Sequence, residues 1–240
     1  APGNTMLDMG CATGTLALPL ARAGHHVHAC DFAEAMLAIL DQRAAAENLP
    51  ITSHLLAWDE DWSRAGLGEN SVDCAFASRS LMSDHTLSRI SKLDATARVK
   101  AAVVVPNSLP PSSDPRLLTY LGRKAKRPST VREVLRALRY LGRIPVTATT
   151  NTYRPMRFNS FDEARADLRR LARPEPFTAR EQRLFDAYAR DHFIEVPAVQ
   201  PANGLSNDHS DSPQTQWVLN YPLPVVWTFI GWRTDGSEWE

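Results

Sequence analysis

The stretch Leu7-Asp8-Met9-Gly10-Cys11-Ala12-Thr13-Gly14-Thr15, with Val27-His28-Ala29-Cys30-Asp31 after it, constrains this chain more than any other feature. Its order is strand, tight turn, helix, second strand, carboxylate. That order builds a nucleotide-type pocket largely out of backbone on an open α/β sheet. Gly10 and Ala12 let the turn come close to a ligand where a larger side chain would block it. The helix expected over about Thr15 to Ala23 points its N-terminus at that ligand. Asp31 follows Gly10 by about twenty residues, at the end of the next strand, where a carboxylate accepts the hydroxyls of a ribose.

The spacing inside the turn discriminates between cofactors. A dinucleotide fingerprint needs G-x-G-x-x-G. Counted from Gly10, its third glycine falls on Thr15, and the available glycine, Gly14, comes one residue early. The misplaced glycine counts against a nicotinamide oxidoreductase. An acid also stands two places before the first glycine. Asp8-Met9-Gly10-Cys11-Ala12-Thr13-Gly14 resembles motif I (D/E-x-G-x-G-x-G) of the class I S-adenosylmethionine (SAM)-dependent methyltransferases, with alanine at the middle glycine. Leu16 to Val27 and Asp31-Phe32-Ala33-Glu34-Ala35-Met36-Leu37 continue the resemblance.

The resemblance implies a Rossmann-like, doubly wound, seven-stranded and mostly parallel sheet whose last strand runs antiparallel. It implies SAM as cofactor. Asp8 and the backbone of Gly10, Cys11, Ala12 and Gly14 would meet the methionyl part, Asp8 facing its ammonium and turn amides its carboxylate. Asp31 would hold the ribose, with Phe32 packed beside the adenine and Met36 grouped with it. The end of the third strand would contribute Trp58 as an apolar wall and Asp59 as acceptor for the adenine amino group. The family usually has one or two helices ahead of the first strand. Here the sequence opens at Ala1 almost upon it, which leaves two readings: no such lid, or a longer product.

Along the chain, alternating β and α signals place strands at about 5–9, 26–30, 51–57, 72–77 and 101–105. The helix over 33–48 is expected to turn Ala35, Met36, Ile39 and Leu40 inward, and another helix covers 86–96. A short helical piece lies near 116–122, and Val131, Val134, Leu135 and Leu138 mark one face of a helix over 130–141. A sixth strand at 146–152 and a last one at 225–232 enclose about seventy residues. These hold helices at 161–172 and 178–193, the second with the Thr178/Glu181 capping-box spacing, then a polar loop, 201–216. The chain reads as one domain, 1–240, with 155–216 inserted as a cap over the sheet's carboxyl edge.

With 240 residues, 43% apolar and 22% charged, the chain can bury a real core, and its formal net charge of zero supplies no global field for nucleic acid. No apolar run reaches the ~20 residues of a membrane span, and no secretory signal is present. The three cysteines, Cys11, Cys30 and Cys74, read as buried thiols in a reducing, cytoplasmic setting.

For chemistry, the end of the fourth strand offers Ser78 and Arg79, the latter favouring an anionic acceptor. His85 is the nearest histidine that could serve as a base. The segment carries neither the N/D/S-P-P-Y/F motif of amino-methyltransferases nor a Pro-Cys nucleophile. His25, His26 and His28 cluster without further ligands, so no metal is assigned. From Arg116 to Arg143, Arg116, Arg123, Lys124, Lys126, Arg127, Arg132, Arg136, Arg139 and Arg143 face the single acid Glu133. This band suits phosphates, of RNA or of a phosphorylated metabolite, and otherwise reads as a solvated helix face balanced by acids elsewhere. A small-molecule acceptor is the first expectation. An RNA methyltransferase and a non-catalytic SAM-binding regulatory protein are the alternatives.

Overall fold

A computed structural model describes residues 3–81, 85–107, 113–124, 130–154, 156–173, 176–198 and 215–239. The chain divides into two compact units: unit 1 takes Ala1–Asn107, Ser129–Thr150 and Trp227–Glu240, and unit 2 takes Ser108–Pro128 and Asn151–Val226.

The strands are β1 (Thr5–Met9), β2 (His26–Asp31), β3 (Ile51–Leu55), β4 (Val72–Ser78), β5 (Ala97–Pro106), β6 (Val146–Arg154) and β10 (Leu223–Arg233), with β7, β8 and β9 described below. These seven form one sheet in the order β3-β2-β1-β4-β5-β10-β6. The β1–β2, β1–β4, β2–β3 and β4–β5 pairs are parallel, and β10 runs antiparallel to β5, with Ile230 opposite Val103. The expected sheet, including its reversed final strand, is what the chain forms. Within β5, Ala101, Val103 and Val105 are buried, while Arg98 and Val99 near its start are exposed.

Helices α1 (Ala17–Arg22) and α2 (Glu34–Ala46) pack a core of Leu18, Ala21, Val27, Ala29, Leu37 and Leu40. Helices α3 (Thr86–Thr96) and α5 (Thr130–Tyr140) belong to a second core around Leu7, Ile90, Leu93, Val103, Leu138 and Trp232. On α2 the inward face differs from expectation. Leu37, Leu40 and Ala44 are buried, while Met36 is 42% and Ile39 40% exposed. Apolar residues lie nearly all round this helix, so the 3.6-residue period selects no face.

Unit 2 has a core of its own. It contains α4 (Pro115–Tyr120), α6 (Phe161–Arg170), α7 (Ala179–His192) and a small antiparallel sheet, β7 (Arg157–Phe158), β9 (Thr215–Leu219) and β8 (Phe193–Pro197), in the order β7-β9-β8. Leu117, Leu168, Phe185, Tyr188 and Phe193 fill its interior. The Thr178/Glu181 capping box at α7 forms as its spacing predicts. The small sheet corrects the reading of this region. β8 follows α7 with no turn residue between them, β7 has only two residues, and β9 takes Thr215 and Gln216 from the stretch read as loop. Residues 201–214 of that loop lie outside the described residues.

Candidate active site

The turn after β1 is built by backbone geometry that few residues tolerate. Gly10 has φ +81°, Ala12 +47° and Gly14 +88°, in the left-handed region where a Cβ costs roughly 1–2 kcal/mol. A Cβ on Gly10 would stand 2.2 Å from Ser80 Cβ, and one on Gly14 2.4 Å from Leu40 Cδ1. The turn is held inward. Gly10 and Cys11 N–H both donate to Cys30 O (2.7 and 3.0 Å), Gly14 N–H donates to Cys11 O (2.9 Å), and Ala12 N–H donates to Asp31 Oδ2 (2.9 Å). These four amides, expected to face a ligand, instead stitch the turn to β2 and to itself.

Asp31 therefore has two tasks. Its other oxygen, Oδ1, accepts from Ala33 N–H at 2.9 Å. One buried carboxylate joins the turn after β1 to the turn after β2 while still lining a cavity. Each oxygen keeps a lone pair free for another donor.

Asp8 sits deeper, 2% exposed. Burial pushes its carboxyl up to about 7, the Ala17 N–H opposes the shift, and the Asp31 charge adds to it. Cys11 and Cys30 are buried free thiols, and Cys74 is a half-buried one. Burial raises the pKa of all three, so they are inert thiols rather than nucleophiles.

A cavity of about 370 Å³ opens at the carboxyl ends of β3, β2, β1 and β4, lined by Met9, Gly10, Asp31, Phe32, Ala57, Trp58, Arg79 and Ser80. Its size is within the ~300–1,000 Å³ of small-molecule sites. Phe32 is 78% exposed beside it. The segment after β3 is fastened from below. Trp62 Nε1 donates to Ala57 O (3.1 Å), and Lys92 Nζ donates to the carbonyls of Trp58 and Glu60, each at 2.8 Å.

Gly10, Asp31, Phe32, Trp58 and Arg79 are thus brought together. The other expected residues are placed elsewhere. Cys11, Ala12 and Gly14 shape the turn without lining the cavity, and Asp8 is buried and does not line it either. Asp59 is turned out into an ion pair with Arg89 at 3.2 Å. Met36 stands on the exposed side of α2. Ser78 lines a separate apolar groove on the sheet face with Leu16, Phe76 and Val104. His85 is an exposed residue preceding α3.

Sequence reasoning missed Ser80. Its Oγ donates to Met9 O at 2.6 Å, and its Cβ occupies the space a side chain on Gly10 would need. Only the close approach of β1 and β4 reveals it. His28 Nδ1 and His54 Nε2 meet at 3.0 Å, and Thr52 Oγ1 and His26 Nε2 at 3.2 Å, so the histidines bond across β2 and β3. Among the described residues, no group of three or more His, Cys, Asp or Glu could hold a metal ion, and no helix is long and apolar enough to cross a membrane.

The basic band loses members to internal bonds. Arg123 pairs with Glu181 (2.7 Å), Arg143 is bidentate to Asp94 (2.9 and 2.8 Å), and the Arg116 guanidinium lies 4.5 Å over the Tyr221 ring. Arg132, Arg136 and Arg139 are exposed on α5. Lys126 and Arg127 lie outside the described residues.

Residues 6–101 match the family described as "Methyltransferase domain". An uncharacterized protein of Haemophilus influenzae is 36% identical over 93 residues, 39% of this chain and 34% of that protein. The match therefore spans about a third of that relative's length. Among solved structures, the YcgJ protein of Bacillus subtilis aligns over 96% of this chain and 92% of its own (TM-score 0.55, 13% identity). A geranyl diphosphate methyltransferase solved with GPP and sinefungin aligns over 98% and 72% (TM-score 0.51, 15% identity). Magnesium protoporphyrin IX methyltransferase from Synechocystis PCC 6803, with bound S-adenosylhomocysteine (SAH), aligns over 63% and 69% (TM-score 0.50, 23% identity). Residues 6–101 thus match a methyltransferase domain, and the chain has the Rossmann-like fold of these solved methyltransferases.

Proposed function

We propose that this chain binds SAM in the cavity over β1 and β2 and transfers its methyl group to a small-molecule acceptor. The observation that carries the reading is Asp31. It is a buried carboxylate anchored by two backbone amides, yet it lines a cavity at the carboxyl edge of a parallel sheet, where ligands of open α/β folds bind. The residues fit the cofactor's chemistry. Asp31 has lone pairs for a ribose diol, Phe32 and Trp58 offer apolar faces for adenine, and buried Asp8 gains a counter-charge from an ammonium. Solved relatives of the same fold support this, since a geranyl diphosphate methyltransferase was crystallised with SAM and the protoporphyrin enzyme with SAH.

When bound, SAM would supply an electrophilic methyl group to an acceptor lone pair, with its sulfonium charge lost rather than created, so that the protein would have little charge to stabilise. Positioning and exclusion of water suffice for acceleration. Of the residues that line the cavity, Ser80 directs its proton at Met9 O and Asp31 holds two amides. Neither is placed as a general base. Residues 155–216, within a unit that has its own core, are the part we assign to adapting the enzyme to its acceptor.

Calorimetry with SAM, SAH and NAD tests the cofactor. SAM and SAH should bind and NAD should not, and binding of NAD alone would overturn the reading.

A further inference from the structure

The cavity has an acid end and a basic end. β2 and β4 flank β1, and strands in a sheet lie about 4.8 Å apart. Asp31 and Arg79 therefore stand roughly 10 Å apart on opposite sides of the β1 turn. A ribose on Asp31 leaves the Arg79 end for what lies beyond the sulfur.

Arg79 is held there at some cost. Its φ is +61°, one of four non-glycine residues described in the left-handed region. Such strain persists where the surroundings over-determine it, commonly at functional sites. The surroundings do so here. Arg79 N–H donates to Val104 O at 2.9 Å, and the next residue, Ser80, is fastened to Met9 O. The guanidinium lies 5.7 Å over the Trp227 ring of β10, a cation–π placement that steadies the charge without neutralising it. Elsewhere in unit 1, Arg89, Arg98 and Arg143 each hold a carboxylate at 3.2, 2.8 and 2.8 Å. Among the described residues, no carboxylate pairs with Arg79.

We propose that Arg79 is the specificity residue of the acceptor end, and that the acceptor is an anionic small molecule presenting carboxylate or phosphate oxygens to its guanidinium. This rests on the methyltransferase reading above. A planar fork of N–H donors with no carboxylate partner among the described residues suits an oxyanion bound through two parallel hydrogen bonds. The anion would orient the acceptor while its nucleophilic atom lies toward the β1 turn.

Titration calorimetry of the SAH-saturated protein with phenylacetate, phenyl phosphate and neutral phenylacetamide tests this. At least one anion should bind saturably and at least tenfold tighter than the amide. Arg79→Gln should abolish that preference, and Arg79→Lys should keep part of it. SAH affinity should stay within twofold in both variants, and thermal melts report whether they fold. Equal binding of anion and amide, no saturable anion binding, or an Arg79→Gln variant that keeps the preference would each overturn the assignment. So would a parallel loss of SAH affinity, which would move Arg79 to the cofactor. Failure of the unaltered protein to bind SAH would remove the underlying reading, an outcome visible before any anion is added.

Discussion

At the scale of single residues, two carboxylates connect stability to binding. Asp8 is raised to about 7 by burial, above the ordinary aspartate value near 3.9. Between these values the folded protein holds a proton that the unfolded chain has released. Asp8 therefore adds stability that is full below about pH 4 and lost as pH rises through 7. An ammonium ligand needs the ionised form. SAM binding should then release a proton below pH 7 and weaken by up to about tenfold per pH unit on acidification. Calorimetry in buffers of different ionisation enthalpy reads that proton directly, and Asp8→Asn should abolish both effects. A proton count of zero at pH 6 would separate Asp8 from the cofactor. Asp31 makes a different prediction because it already accepts two amides. In Asp31→Asn one of these faces an NH₂ donor, a loss of about 1–3 kcal/mol of stability even without ligand. Denaturant unfolding should show that loss, and SAH affinity should fall by a further margin. Equal stability of variant and parent would mean the two turns do not depend on this link.

At the scale of elements, the β1 turn and the end of β4 form one joint. Gly10→Ala adds a Cβ at 2.2 Å from Ser80 Cβ, on a backbone at φ +81°. Both faults act together, so a destabilisation of roughly 2–4 kcal/mol is expected, with loss of SAH binding. Ser80→Gly in the same chain removes the collision but leaves the backbone strain, so recovery should be partial. Full recovery would show that the contact alone matters, and no recovery that the φ angle alone does. This joint also marks where the sequence stops being informative. The turn, the strand ends and Asp31 were legible because each uses a residue type the local backbone demands. Ser80 was not, since its role depends on β4 lying beside β1, a tertiary fact with no local spacing. Asp59 and Met36 were misplaced for a related reason. A carboxylate beside Arg89 and a methionine on an apolar helix each had a competing environment that linear order does not disclose. The β7-β9-β8 sheet was hidden because β8 follows α7 without punctuation and β7 is too short to show a period.

For the whole molecule, the notable property is that unit 1 is assembled from three separate stretches of chain. The methyltransferase match ends at residue 101, yet the sheet needs β10 from the far end of the sequence. Ile230 and Trp232 of β10 are fully buried in the same core as Leu7 and Val103. Trp232 Nε1 donates to Asp94 Oδ1 at 2.9 Å, and Asp94 is also held by Arg143 in two bonds. Removing β10 takes away two large core side chains, leaves one edge of β5 unpaired, and strips one donor from a buried carboxylate. Core truncation of a single large residue costs about 3–5 kcal/mol, and losing two of them with a strand exceeds the 5–15 kcal/mol stability of an ordinary domain only narrowly or not at all. The exposed β5 edge decides the outcome, because it gives the weakened core a route to association. A chain ending after Thr150 should therefore aggregate or melt without a cooperative transition, and should lose SAH binding although every cavity residue is still present. Circular dichroism melts with SAH calorimetry check this. A truncated chain that unfolds in one sharp transition and binds SAH as the full chain does would mean that β10 is dispensable to the site, and that the sheet's first five strands stand alone.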